Sequence, residues 1–446
     1  MTAMKCYPLP LLLLISFSAA AQRLLPLEEA IATALRNNYD IQLSKNDSAL
    51  AQLNNSYRNA ALYPTLNANT GITFNNNDQL QKFSDGTTRE RKGVKSSNLV
   101  ASVSLNWTLF DGMKMFATRD KVAEFVRLGE LGIKNQVVNT VADVINTYYN
   151  IVRLKQQVKA IDEQISINEE RVKLAGYKLD IGVGTRPDLL QSKVDLNAQK
   201  ALKLEQINAI DQQKEILNQL ITGTVSNGNS SPSAFYEVSD SIPINTGLSL
   251  GAVQEGLEST NPLLLMAKKN MDIARLTLKE RKAERFPTVA FASNYNFSKS
   301  DNKAVVNPFQ PLFSRNTGFN YGFTASIPIF NRYNVQRQIR LAQLDISYQQ
   351  LNYDNQKSLI SLSVVNAYKD YEQQKKALAL EEENIKLARE NVNIVLQVYK
   401  LNSTTLIQLK EAQLSLQQAY NRLIAARYNA KLAETELMRL KGELVK

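Results

Sequence analysis

An internal repeat limits what this chain can fold into more strongly than any other feature of the sequence. Tyr63–Leu66 reads Tyr-Pro-Thr-Leu, and 223 positions later Phe286–Val289 reads Phe-Pro-Thr-Val. Three more pairs keep nearly the same spacing: Asn38 with Asn261, Leu105–Phe110 with Ala325–Phe330, and Tyr177–Leu179 with Tyr399–Leu401. The 446 residues would suggest three ordinary domains from length alone. The repeat instead predicts two copies of one unit of roughly 200 residues.

The stretch between the two copies is rich in Ser, Asn, Gly and Pro over residues 223–247, which is typical of a linker. We therefore predict a first structural repeat over residues 22–222 and a second over residues 248–446. Each repeat should contain a helix, a β-hairpin and a long helical hairpin.

The first 21 residues have the pattern of a secretory signal peptide. Lys5 precedes the apolar run Leu9–Phe17, which ends in three alanines at positions 19–21. A positive start, a short apolar core and small residues at the cleavage site are its three parts. A membrane anchor would need about 20 apolar residues, and this run is shorter. We predict cleavage after Ala21, which also removes Cys6, the only cysteine.

The composition excludes most catalytic chemistry. The chain has no histidine, so zinc, haem and iron–sulfur sites and Ser-His-Asp or Cys-His catalysis have almost no ligands or bases available. No pair of acids stands out in a pocket-like context, which disfavours an enzyme that uses carboxylates. The net charge of +11 is spread among Glu and Asp along helical stretches, without a nucleic-acid motif. We expect no enzyme, no cofactor, no metal site and no nucleic-acid partner.

Two alternating segments in each copy predict β-strands. In the first copy, Leu66, Ala68, Ile72 and Phe74 share one face, and a second strand follows over Leu99–Leu109. Period-2 patterning over about 10 residues suits a strand between lipid and water, although a half-buried sheet of a soluble sandwich has the same pattern. The predicted hairpin loops are long and polar, as on the extracellular side of an outer-membrane protein: Asn75–Ser97 and Ser298–Asn316.

Long helices flank these strands. A helix of about 35 residues should end before Pro64 and again before Pro287, because proline interrupts helices. A proline-free stretch of 69 residues, Asp111–Leu179, follows the first hairpin and would make a rod of about 100 Å. The remaining predicted helices are Leu27–Leu62, Leu250–Arg285, Asn331–Leu401, Pro187–Thr222 and Leu406–Leu444, the last two folding back antiparallel. Apolar residues at coiled-coil spacing are Val137, Val141, Val144, Tyr148 and Ile151, and Leu341, Leu344, Tyr348 and Leu351.

Four strands are too few to close a barrel, and an open sheet edge is not tolerated in lipid. The chain must therefore share a barrel with other copies. Two copies would give eight strands with a filled interior, and three would give twelve with a polar-lined lumen. The function derived from this architecture is a passive conduit continued by a helical tunnel. A periplasmic adaptor, which is also rich in helical hairpins, is the alternative.

The order of these elements after a signal peptide resembles the TolC family of outer-membrane efflux proteins. The residues that carry the resemblance are Asn38 and Asn261, Pro64 and Pro287, and Phe110 and Phe330. It implies an α+β membrane protein: a homotrimer with a 12-stranded outer-membrane β-barrel on an antiparallel α-helical coiled-coil tunnel. It also implies a periplasmic adaptor and an inner-membrane pump or ABC transporter as partners, in a tripartite efflux or type I secretion system of a Gram-negative bacterium.

The resemblance further implies a gate at the tunnel entrance, formed by residues at the ends of the helical hairpins. By position in the motif, Asp188 and Glu411 match acids of that entrance. Gln408 stands where a further acid would be, and Arg186 and Thr404 are their neighbours. Asp188 is also the N3 residue of a Thr-x-x-Asp capping box, and Glu411 is an acid favoured by the helix dipole. Aromatic residues predicted at the membrane boundary are Trp107, Phe110, Tyr321 and Phe330.

Overall fold

The computed structural model describes residues 23–222, 236–401 and 403–444, so the predicted signal peptide and residues 223–235 of the predicted linker lie outside the described residues. The chain divides into two compact units. We call Leu43–Asn135 with Glu258–Ile360 the sheet unit, and the remainder the helical unit.

In chain order the elements are β1 (Arg23–Leu25), α1 (Leu27–Asn37), α2 (Tyr39–Ser56), β2 (Thr65–Lys82), β3 (Thr88–Phe110), α3 (Lys114–Asp180), α4 (Arg186–Thr222), β4 (Tyr236–Val238), α5 (Leu250–Gln254), α6 (Leu257–Thr260), α7 (Pro262–Ala283), β5 (Thr288–Asn302), β6 (Phe313–Ser326), α8 (Asn334–Lys400) and α9 (Leu406–Lys441).

The sheet unit contains one antiparallel sheet of four strands in the order β2-β3-β5-β6. Residues that pair across antiparallel strands share a face. Ile72 pairs with Leu99 and Val103 with Tyr295, and these pairs lie on an apolar face. Asn67 pairs with Ser104 and Asn294 with Asn320, and these pairs lie on a polar face. Large apolar side chains on the first face are exposed, Phe74 by 74%. The predicted alternation is confirmed.

The prediction of long polar loops is wrong. The register of β2 and β3 shifts at a bulge between Asn77 and Gln79, but the two strands stay paired to Lys82 and Thr88, leaving only residues 83–87 as a turn. In the second hairpin, β5 ends at Asn302 and β6 begins at Phe313, so the loop is shorter than the predicted Ser298–Asn316. Apart from Leu80 and Val94, the side chains of the β2 and β3 extensions are polar on both faces, so the period-2 signal disappears although the backbone ladder continues.

Ion pairs bind the helices of the sheet unit together. Lys121 Nζ lies 2.5 Å from Glu280, Lys269 Nζ 2.9 Å from Glu124, and Lys114 Nζ 3.0 Å from Glu284. Gly129 of α3 allows close helix packing, because a Cβ placed there would lie 3.2 Å from the Ser48 Cα. These three lysines are therefore paired with carboxylates within the unit.

The helical unit is built around an apolar core of α1, α3 and α4. Val141, Val144, Tyr148 and Ile151 of α3 are all at most 1% exposed. The Tyr148 hydroxyl donates to the Leu25 carbonyl at 2.8 Å, which anchors β1. The corresponding tyrosine of the second repeat, Tyr371, donates to the Asn245 carbonyl at 2.6 Å, which ties the segment before α5 to α8.

Part of the predicted linker is ordered structure. β4, at residues 236–238, pairs in parallel with β1 at residues 23–25. Lys155 Nζ lies 2.8 Å from carboxylate oxygens of both Glu237 and Asp240. Composition alone missed this strand because a three-residue element has too little pattern to detect.

Each predicted 35-residue helix is interrupted at an asparagine. The Asn38 side chain accepts hydrogen bonds from the backbone N–H groups of Asp40 and Ile41, so it caps α2 and separates it from α1. Asn261 accepts from Leu263 and Leu264 in the same way and caps α7, which begins with Pro262. An N-cap residue has an extended backbone, which ends the preceding helix.

The two longest helices are confirmed, since α3 and α8 each have 67 residues. Their apolar stripes differ in burial. The stripe of α3 from Val141 to Ile151 is buried, but that of α8 is exposed by 50–69% at Leu341, Leu344, Tyr348 and Leu351. No helix in the described part of the chain combines the length and the apolar character that crossing a membrane would require.

Candidate functional site at the helical hairpin ends

Two turns reverse the helical hairpins within the helical unit. The first joins α3 to α4 through residues 181–185, where Gly182 has φ +79°. The backbone N–H groups of Val183 and Gly184 both donate to the Lys178 carbonyl, at 2.9 and 2.8 Å. A Cβ at Gly184 would lie 2.8 Å from the Lys178 Cβ, so only glycine fits this close approach.

The predicted capping box is present at the start of α4. Thr185 Oγ1 accepts from the Asp188 backbone N–H at 3.3 Å and donates to Asp188 Oδ2 at 2.6 Å. This bond holds the half-buried Asp188 carboxylate at the turn. Arg186 is exposed and is the first residue of α4.

The second turn has a similar cap. Thr405 Oγ1 accepts from the Gln408 backbone N–H at 3.3 Å, and the Thr404 hydroxyl donates to Gln408 Oε1. Gln408 and Glu411 are both exposed on the first turns of α9. Among the residues that the structure describes, Glu411 has no hydrogen bond or ion pair within the chain, so its carboxylate faces solvent.

A cavity of about 540 Å³ lies at these two turns and brings together only part of the predicted set. Asp188 and Thr404 line it, together with Lys178 and Tyr399. Arg186, Gln408 and Glu411 do not. The described residues of a single chain therefore form no acidic cluster at these turns.

Sequence reasoning missed Lys178 and Tyr399 as site residues, although it used both as markers of the repeat. Lys178 Nζ donates to the Tyr399 carbonyl at 2.9 Å and lies 3.7 Å from the centroid of the Tyr399 ring. Burial lowers the pKa of the Lys178 ammonium below its ordinary value, while the charge of Asp188 acts in the opposite direction. A Lys and a Tyr conserved in both copies at the helix end were the available signal.

A second missed cluster lies further along the same helices. Arg171 is only 1% exposed, and its guanidinium donates to Asp195 Oδ2 at 2.6 Å and to Gln413 Oε1 at 2.9 Å. Asp195 also accepts from Lys410 at 3.1 Å and from Gln191 at 2.9 Å. Burial would raise the pKa of Asp195, but these hydrogen bonds and the charges of Arg171 and Lys410 hold it below its ordinary value. The sequence of α3 did not indicate that Arg171 is buried, because arginines on a long helix are usually exposed to solvent.

The predicted boundary aromatics lie at the helix-connected end of the sheet unit. Trp107 pairs across strands with Phe291, and its indole N–H donates to the Leu62 carbonyl at 2.8 Å. Phe110 is the last residue of β3, and Tyr321 lies within β6. Phe330 follows β6, 71% exposed, and packs edge-on against Tyr333.

None of these groups is arranged as a metal site. In the described ranges, no three or more Asp, Glu, Cys or His residues are grouped so that they could hold a metal ion. The site consists of capped turns, one buried lysine and solvent-facing acids, which suits contact with other chains or with passing solutes better than catalysis.

Comparison with protein-family models shows which family the chain belongs to. The model of the outer membrane efflux protein family matches residues 30–223 and 254–443. The chain belongs to the outer membrane efflux protein family. This confirms the predicted relationship, and members of this family are channel proteins of the outer membrane, not periplasmic adaptors.

Solved structures agree on the fold. VceC from Vibrio cholerae is 15% identical, with a TM-score of 0.75 over 93% of this chain and 96% of that chain. The MtrE outer membrane channel of Neisseria gonorrhoeae is 17% identical, with a TM-score of 0.70 over 94% and 89%. CusC is 15% identical, with a TM-score of 0.73 over 93% and 91%. No curated protein sequence matches the chain.

Proposed function

We propose that this chain is the outer-membrane exit duct of a tripartite efflux or type I secretion system, a passive conduit from periplasm to exterior. The observation that carries the proposal is the four-stranded sheet with one exposed apolar face, one polar face and two unpaired edges, β2 and β6. A strand that lies between lipid and an aqueous lumen has this pattern, with apolar side chains on one face and polar side chains on the other.

The polar face carries no charged residue where all four strands pair. Its side chains are mostly Asn, Ser and Thr, as at Asn67, Ser104, Asn294 and Asn320. A lumen with this lining would solvate passing molecules of either charge without selecting among them. Selection would then occur elsewhere in the duct.

Two features support a homotrimer. The edges of β2 and β6 leave backbone groups unpaired, which lipid does not tolerate, and edge-to-edge pairing with further copies satisfies them. The stripe from Leu341 to Leu351 on α8 has coiled-coil spacing, and no surface in the described part of the chain buries it. Three copies would provide twelve strands and a lumen.

The hairpin ends are the proposed contact with the periplasmic adaptor, and through it with an inner-membrane pump or ABC transporter. Large apolar side chains are exposed there: Ile181 by 71%, Val183 by 59%, Leu401 by 77% and Ile407 by 70%. Exposed apolar side chains in one region indicate a protein interaction surface. The same proposal includes the domain organisation predicted from the sequence: an export signal over residues 1–21, repeats over 22–222 and 248–446, and a linker over 223–247.

The entrance gate is tested at Glu411 by single-channel recording in planar bilayers. A carboxylate repeated around a three-fold axis attracts cations and repels anions. We expect Glu411→Ala to lower the ratio of cation to anion permeability on the order of twofold and to weaken block by divalent cations. Gln408→Glu, which adds an acid one helical turn away, should change both in the opposite direction.

The matched control is Glu205→Ala, which removes an exposed acid from the middle of α4. Unchanged selectivity in the Glu411 variant would remove the gate role and leave Glu411 as a residue that stabilises the helix start. A protein that is recovered from the soluble periplasm, or that forms no channel at all, would contradict the duct itself.

A further inference from the structure

Two cations face each other on the apolar face of the sheet, near its turn end, which we define as the end that carries the β2–β3 and β5–β6 turns. Lys299 of β5 pairs directly with Arg315 of β6. Both side chains are exposed. Each lies against a phenylalanine: Lys299 Nζ is 5.6 Å from the Phe313 ring centroid, and Arg315 Cζ is 5.4 Å from that of Phe297. Like charges directly opposite each other destabilise a sheet.

A further lysine shares this face. Lys95 lies four residues beyond Leu99, the β3 partner of Lys299, and the Lys303 backbone N–H donates to the Lys95 carbonyl at 2.9 Å. Within the described parts of the chain, no carboxylate forms an ion pair with Lys95, Lys299 or Arg315. On the helices of the same unit, by contrast, Lys114, Lys121 and Lys269 each have a carboxylate partner. Asp301, two residues from Lys299 along β5, shares this face but forms no ion pair with these cations among the described residues, so the three cations outnumber the acid at this end.

An apolar groove begins next to these cations. A cavity of about 290 Å³ opens on the same face, where the small side chain of Ala68 and that of Ala101 leave space beside Tyr295 and Phe297. Phe297 is two residues from Lys299 along β5, and it pairs across strands with Ala101. The groove thus runs from the cations toward the middle of the sheet.

We propose that the turn end of the sheet binds a phosphorylated glycolipid of the outer leaflet, with a phosphate on Lys299 and Arg315 and an acyl chain in the groove. The inference rests on the proposed function, because that function places this end of the sheet at the outer surface of the membrane. Arg and Lys bind phosphate oxygens through charge-assisted hydrogen bonds. Cations on aromatic rings at the boundary of an apolar face are suited to reach a headgroup while their stems lie on apolar surface.

Lipid binding to the detergent-purified full-length protein, measured by native mass spectrometry, tests this site. The probes are lipid A, phosphatidylcholine and inorganic phosphate. We expect lipid A to bind and the double variant Lys299→Gln/Arg315→Gln to bind it about thirtyfold more weakly, since two cations at an anionic lipid surface are removed. The matched control Lys82→Gln/Lys92→Gln removes two lysines closer to the β2–β3 turn, past the part of β3 that pairs with β5, and should bind like the natural protein.

Equal binding of lipid A by the two double variants would overturn the proposal. Displacement of lipid A by inorganic phosphate at similar concentration would also overturn it, because the lipid part would then contribute nothing. Equal binding of phosphatidylcholine, whose headgroup is zwitterionic and carries no sugar, would overturn it too, because the site would then not select an anionic phosphorylated glycolipid.

The groove is tested separately by Ala101→Leu, which fills it without changing charge. We expect about tenfold weaker binding of lipid A, equivalent to losing contact with one or two methylene groups. Unchanged binding would remove the acyl chain from the proposal. Single-channel conductance of each variant separates the outcomes: channels that conduct but bind no lipid A contradict only this site, whereas absence of channels contradicts the proposed function.

Discussion

The long helix of each repeat ends in the same tripeptide, Tyr-Lys-Leu, yet the two copies bury different residues of it. In the first copy, Lys178 is 9% exposed and Tyr177 is 70% exposed. In the second copy, Tyr399 is 5% exposed, and Lys400 lies at the surface with its ammonium 2.5 Å from Glu170. The same three residues thus supply a buried cation in one place and a buried aromatic ring in the other.

The two ends differ because they pack on each other. Consecutive residues on an α-helix are about 100° apart, so a helix presents either the tyrosine or the lysine to one neighbour. Lys178 takes Tyr399 as its partner through both the ring and the carbonyl. Further from the turn the difference continues: Arg171 is buried, whereas Asn393, 222 positions later, is exposed. Repeated sequence therefore does not imply repeated environment.

The largest expected effect comes from Arg171. Arg171→Met leaves Asp195 without its buried partner, and breaking such a pair costs about 3–5 kcal/mol of the free energy of unfolding. Urea unfolding of the detergent-solubilised protein, followed by far-UV circular dichroism, measures this loss. Asn393→Met at the corresponding exposed position should change the free energy by less than about 0.5 kcal/mol. Equal losses at the two positions would mean that the copies are energetically alike.

A smaller difference is expected at the tripeptides. Lys178→Met removes the cation from the Tyr399 ring and a donor from its carbonyl, with an expected loss of about 2 kcal/mol in the same unfolding measurement. Lys400→Met removes only an exposed ion pair, which is worth at most about 1 kcal/mol. A larger loss for Lys400→Met than for Lys178→Met would reverse the assignment of the buried cation.

The smallest effect is expected where the copies agree. Asn38 and Asn261 cap α2 and α7 with the same pair of hydrogen bonds, so alanine at either position should cost about 1 kcal/mol. Aspartate at either position retains the acceptor and should cost less. Asn38→Ala also removes a hydrogen bond to the Leu220 carbonyl at 3.0 Å, so it should cost more than the loss of the cap alone. Loss at only one position would show that one asparagine is not needed as a cap.

Much of the fold could be predicted because its signals are local. Alternation identified the strand segments around Leu66 and Leu99, and proline-free periodic stretches identified α3 and α8. The caps at Thr185 and Thr405 follow from side chains three residues apart. The extension of β2 and β3 to Lys82 and Thr88 could not be predicted, because two solvated faces leave no alternation to detect.

The candidate site was less predictable. The capping role of Asp188 was visible in the sequence, but the cavity that it shares with Lys178 and Tyr399 joins residues about 200 positions apart. The predicted entrance residues Glu411 and Gln408 lie at the surface of the single chain, and their role in a gate stays a prediction. The aromatic residue Trp107 was placed correctly on its strand, but its hydrogen bond to Leu62 depends on how the chain approaches β2.

By itself, the sequence determined the order of the main helices and strands, the lengths of α3, α4, α8 and α9 to within a few residues, and the caps at Thr185 and Thr405. These depend on backbone geometry, proline, and side chains within one or two turns. Only the tertiary structure decided which periodic stripe is buried, at Val141–Ile151, and which is exposed, at Leu341–Leu351. It also decided that Lys178 is buried and that Lys299 faces Arg315. The physical reason is that periodicity defines the apolar side of an element, whereas burial depends on the distant segment that packs against it.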